Sequence, residues 1–147
     1  MEGEAARECV ERFARLRGLL PRASPEQWEL YLIEWARFKR AAAEAAGECL
    51  KRLFPGIVKR VYYIDLSASN PDDYTGRDVD LLVEVDEKAL DEGRSLEDTL
   101  EAILTKLAKM AGVDYERYNW SQHLFEVHTL SRGVYASKRF GNVIRVA

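Results

Sequence analysis

Cysteine and proline are scarce in this chain of 147 residues, which has two of the first and four of the second. Cys9 and Cys49 fall in separate helical segments with no C-x-x-C spacing, so neither a zinc knuckle nor a redox pair is suggested and reduced core thiols are expected. No apolar run approaches the roughly twenty residues needed to span a bilayer. The N-terminal stretch is charged where a secretory signal has its apolar core, so no membrane association and a cytoplasmic location are expected. A net charge of −3 supplies no global basic field for nucleic acid, which enters the expectations only as an acceptor. A Walker-type loop, H-E-x-x-H and a nucleophile elbow are also missing, which removes several enzyme classes by their commonest signatures.

What remains is 47% apolar and 32% charged, with no repeat, low-complexity tract or linker. That composition predicts one α+β domain over 1–147, with a helical part to residue 54 and a sheet-containing part from residue 57. Cys9, Phe13, Leu16 and Leu20 recur at helical spacing, predicting an amphipathic helix from about Glu4 to Leu20. Ser24-Pro25-Glu26-Gln27 reads as a capping box. A long helix then carries Trp28, Tyr31, Leu32, Trp35, Ala42, Ala46, Cys49 and Leu53 on one apolar face as far as Pro55-Gly56. Residues 57–66 and 78–85, rich in β-branched and aromatic side chains, predict a hairpin-like strand pair joined by a polar turn. Residues 86–94 read as a charged loop, and Ser95 as the cap of a helix that ends at Gly112 and covers the sheet. A third strand is expected over about 123–130, and a short helix capped by Ser131 to about residue 140. The alternating tail 142–146 either adds an edge strand or packs against the long helix.

The most informative stretch is Gly76-Arg77-Asp78-Val79-Asp80-Leu81-Leu82-Val83-Glu84-Val85. A strand alternates its side chains with a period of two, so Asp78 and Asp80 share one face while Val79, Leu81, Val83 and Val85 take the other. Two like charges at the mouth of an apolar strand call for a divalent cation, or a cationic side chain, that neutralises both. Upstream, a strand runs into the polar turn 67–76. Downstream, Leu124-Phe125-Glu126-Val127-His128 offers a third carboxylate on a strand. His128, two residues further on, faces the same side as Glu126 and can orient a carboxylate or contact substrate.

In this combination the chain resembles the minimal nucleotidyltransferases of the DNA polymerase β-like superfamily, especially the small archaeal forms. The resemblance covers roughly Trp28 to the C-terminus and implies a nucleotidyltransferase-like mixed sheet with helices packed on it, preceded by two N-terminal helices. It puts Ser67 in the place of the family serine, Asp78 and Asp80 in that of the metal pair, and Glu126 in that of the third carboxylate. Leu66 stands where the family has glycine. A glycine there lets a phosphate approach the backbone closely, and a leucine narrows that approach unless Ser69 and Asn70 take over the phosphate contacts.

The resemblance implies transfer of a nucleoside monophosphate from a nucleoside triphosphate to a hydroxyl acceptor, with Mg²⁺ or Mn²⁺ as cofactor. Asp78, Asp80 and Glu126 would be the catalytic and metal residues. Ser67, Ser69, Asn70 and Arg77 would form the nucleotide-binding set, and Lys59 is a further candidate phosphate partner. The alternative is a catalytically degenerate binding protein of the same fold, such as the antitoxin-like partner of a helical HEPN-type protein, since relatives of this family act as antitoxins beside such toxins.

Overall fold

The structure, a computed structural model, describes residues 2–24, 26–64, 78–90, 94–115, 124–130 and 143–147. Helix α1 (Glu2–Ala14) runs into a 3₁₀ turn (Arg15–Leu19) and is followed by the long helix α2 (Trp28–Leu53). Strands β1 (Val58–Ile64) and β2 (Val79–Val85), helices α3 (Glu87–Leu90) and α4 (Arg94–Met110), and strands β3 (Phe125–Leu130) and β4 (Val143–Arg145) complete it. The fold is α+β. Its sheet has the order β3-β2-β1-β4, with β1 antiparallel to both neighbours and β2 parallel to β3. A parallel pair needs a crossover of a dozen or more residues, and α4 lies within that crossover.

Residue alternation sorts the sheet into two faces. Val61, Tyr63, Val79, Leu81, Val83, Val85, Phe125 and Val127 join the main core with the helices, whereas Ile64, Leu82 and Leu130 form a smaller cluster on the other side. Every residue of the central strand β2 is therefore buried, including Asp80 and Glu84. Glu84 is answered across the ladder by Arg60, whose guanidinium donates to both of its carboxylate oxygens at 3.1 Å. Cys9 and Cys49 meet between α1 and α2 as buried free thiols, and burial pushes the pKa of both up, which suits inert core residues.

Several local expectations shift. The Ser24–Gln27 bond exists, from the Ser24 backbone N–H to Gln27 Oε1 at 3.3 Å, but α2 starts only at Trp28 and Gln27 occupies its N-cap position. The apolar face of α2 meets the core from the half-buried Trp35 and is fully buried only from Phe38 onward. Trp28 is 49% exposed, and Trp28, Tyr31, Trp35 and Phe38 touch one another ring to ring along the helix at 6.2, 5.9 and 5.7 Å. Residues expected as loop hold α3, where Asp86 accepts from the Lys88 backbone N–H. Ser95 lies inside α4, and its carbonyl accepts the Thr99 hydroxyl. Gly112 does end that helix: its φ of 78° is the left-handed conformation, and Val113 N–H reaches back to the Ala108 carbonyl in the pattern that a C-terminal glycine makes.

The edge strand β3 exposes backbone donors, and α4 supplies their acceptors. Val127 N–H donates to Glu101 at 2.7 Å and Thr129 N–H to Glu97 at 2.8 Å. Two carboxylates one helical turn apart thus match donors two apart on a strand, and they occupy an edge that would otherwise invite another chain. At the opposite edge, both readings of the tail hold. Val143–Arg145 pairs with β1, while Val146 and Ala147 bond to Val61 and lie over Gly47 of α2.

A Cβ at Gly47 would sit 3.1 Å from Ala147 Cβ, 3.1 Å from Val146 Cγ2 and 3.3 Å from Val61 Cβ. Elsewhere in a helix, Gly→Ala adds about 1 kcal/mol of stability, but overpacking costs about 1–3 kcal/mol. Gly47→Ala is therefore expected to lower stability in urea titration by about 1 kcal/mol. A gain would show that the C-terminal segment does not seat against α2.

Candidate functional site

The strands bring together two residues that lie 46 positions apart in the chain. In the parallel register, Asp80 stands opposite Glu126 and Leu82 opposite His128, so Glu126 and His128, two apart on one strand, share a face with Asp80. One donor atom from each of Asp80, Glu126 and His128 lies within 4.8 Å of the other two. His128 Nε2 is 3.5 Å from Glu126 Oε1. Asp80 forms the floor at 7% exposure, and the Glu126 and His128 side chains, 45% and 32% exposed, form an open rim. Valines and leucines on the opposite face hold β2 and β3 against the helices, so the acidic face is fixed by apolar packing behind it.

Asp78, half-buried and one residue before β2, adds negative charge to Asp80 without being one of the three grouped donors.

The Asp80 pKa is raised from 3.8 to about 7, above all by burial and then by the charge and hydrogen bond of Glu126, while Lys39 opposes and Asp78 adds a smaller push upward. The folded chain thus holds a proton on Asp80 that the unfolded chain releases near 3.8. Its stabilising contribution is complete below that value and is lost as pH rises through about 7. Metal-free protein is therefore expected to melt at progressively lower temperature across that window, and Asp80→Asn to flatten the slope. A pH series of thermal melts checks this, and a slope unchanged by Asp80→Asn would refute it. A cation competes with the same proton, so divalent affinity should rise over the same window.

The donor set fits a divalent cation. Donors about 2.0–2.2 Å from one ion stand at most about 4.4 Å apart, so the observed spread closes with small side-chain rotations. The exposed rim leaves the outward positions to water or substrate.

Lys39 is the residue that sequence reasoning missed. It is a buried lysine on α2 whose charge acts on Asp80. Its signal was legible: it falls four residues after Trp35 and three before Ala42, on the apolar stripe where a lysine is out of place.

Lys59 does not belong with the acidic group. It sits at the start of β1, about 16 Å along the strand from the end nearest Asp80, and pairs with Asp86 at 4.0 Å. There it lines an open basic groove of about 480 Å³ with Lys51, Arg60 and Arg145. Ser67, Ser69, Asn70 and Arg77, with Leu66, lie outside the described residues.

No family model, curated protein or solved structure matches this chain. Among the described residues, no helix is long and apolar enough to cross a membrane.

Proposed function

We propose that the chain is a metal-dependent nucleotidyltransferase that works in the cytoplasm and moves a nucleoside monophosphate from a nucleoside triphosphate to a hydroxyl acceptor. The observation that carries this reading is the pairing of Asp80 with Glu126 on adjacent parallel strands, two carboxylates set side by side on one sheet face, the first buried and the second partly exposed. Asp78 adds the third negative charge. Retaining such repulsion costs stability unless a ligand uses it.

In the reaction, the acceptor oxygen attacks the α-phosphorus in line, the bond from that phosphorus to the bridging oxygen of the β-phosphate breaks, and diphosphate leaves. A bound divalent cation supplies charge neutralisation and a more acidic acceptor hydroxyl. Asp80 and Glu126 would hold the cation, Asp78 would add negative charge to Asp80, and Glu126, on the exposed rim, would also help to take the acceptor's proton. Ser67, Ser69, Asn70 and Arg77, in the segment before β2, would engage the triphosphate.

Lys39 favours a second reading. A lysine buried beside Asp80 can replace the cation with a side-chain charge, which would make the chain a non-catalytic partner protein, such as an antitoxin-like partner of a helical HEPN-type protein. Thermal melts with nucleoside triphosphate, Mg²⁺ or Mn²⁺, and both together separate the two. The transferase reading expects a larger rise with both together than with the cation alone or the triphosphate alone; no rise with any combination would leave the partner reading.

A further inference from the structure

Resting on the metal-site reading above, we propose that His128 is a direct ligand of the cation and that the site thereby selects a transition-metal dication of the Mn²⁺ class over Mg²⁺. Three observations carry the assignment. His128 Nε2, not merely the ring, approaches Glu126 Oε1 at 3.5 Å. The same histidine is one of the three residues whose donor atoms gather within 4.8 Å. Its place opposite Leu82, two register positions from the Asp80–Glu126 pair, directs it to the face where both carboxylates lie.

The chemistry of the donors then limits the ion. Mg²⁺ takes hard oxygen ligands in near-ideal octahedral geometry and keeps much of its water. Imidazole nitrogen suits the later, softer dications, and carboxylate oxygen suits Mg²⁺, Ca²⁺ and Mn²⁺. A set of two carboxylates and one imidazole lies where these preferences overlap. With Mg²⁺ the histidine adds little, whereas with Mn²⁺ it adds a bond, so the nitrogen donor converts a general divalent site into a selective one. The exposed rim suits the exchange, since an incoming ion can shed water stepwise at the open side.

The test uses the full chain and the bare ions. Calorimetric titration of the wild-type protein at pH 8 is expected to give at least tenfold tighter binding of Mn²⁺ than of Mg²⁺. His128→Gln is expected to weaken Mn²⁺ at least tenfold while changing Mg²⁺ less than threefold. Electron spin echo modulation of bound Mn²⁺ should show coupling to an imidazole ¹⁴N in the wild type, which needs no variant and so decides the matter even if His128→Gln fails to fold.

Mn²⁺ bound without ¹⁴N coupling, or a preference unchanged by His128→Gln, would overturn the role of His128. In that case loss of all divalent binding in Asp80→Asn would leave the carboxylate site standing. A wild-type protein that binds neither ion would overturn both readings.

Discussion

Replacing Asp80 by asparagine is expected to lower cation-dependent nucleoside triphosphate binding at least about 100-fold, because even outer partners of metal ligands cost 10–100-fold when lost. The same change should make the metal-free protein more stable at pH 8, by about 1–2 kcal/mol. A buried carboxylate whose pKa is raised to about 7 is ionised at a cost above that pH; at about 1.4 kcal/mol per pKa unit this is an upper bound of about 4 kcal/mol, which the cost of burying the asparagine amide in its place reduces. The amide keeps the shape, removes the charge and can donate to Glu126. Stability and binding should therefore move in opposite directions, a pattern that a purely structural aspartate would not give. Urea titration and nucleotide titration on the same samples check it, and a variant that lost both together would assign Asp80 to the fold.

The largest expected loss of stability is at Phe13, which is fully buried on α1 and meets Phe125 of β3 edge to face, ring centroids 5.9 Å apart. Phe13→Ala is expected to cost about 3–5 kcal/mol, the range for emptying a buried aromatic site. Phe125 immediately precedes Glu126, so the vacancy lies directly behind the acidic face. Any binding that survives in the folded fraction should weaken too. A loss below about 1 kcal/mol in urea would mean that α1 is an appendage to the sheet.

How far the sequence disclosed this arrangement depends on the range of each interaction. The period-two placement of Asp78 and Asp80 is local, and so are the Gly112 stop and the strand pair β1–β2; all were legible. The α2 start was misplaced, because a capping box and apolar spacing mark a helix without saying how much of it has a sheet to pack against. Trp28 and Tyr31 instead contact each other, and Trp35 packs on both Tyr31 and the core. Nothing local shows that Glu97 and Glu101 bond the edge of β3, or that Gly47 makes room for Val146 and Ala147. Both depend on which elements become neighbours. The candidate site divides in the same way: its carboxylates were readable from strand alternation, but the alignment of Asp80 with Glu126 is a property of a parallel register, and the approach of Lys39 depends on how α2 crosses the sheet.

The most direct test of the central claim is to follow a nucleoside triphosphate labelled on its α-phosphate, and in parallel one labelled on its γ-phosphate, through incubation with the protein, Mn²⁺ or Mg²⁺, and protein, RNA and small-molecule acceptors, the chain itself included. Nucleotidyl transfer predicts that the α-label becomes covalently attached, that the γ-label appears only in released diphosphate, and that Asp80→Asn abolishes both. Attachment of the γ-label, or no attached label with any acceptor and either ion, would contradict it.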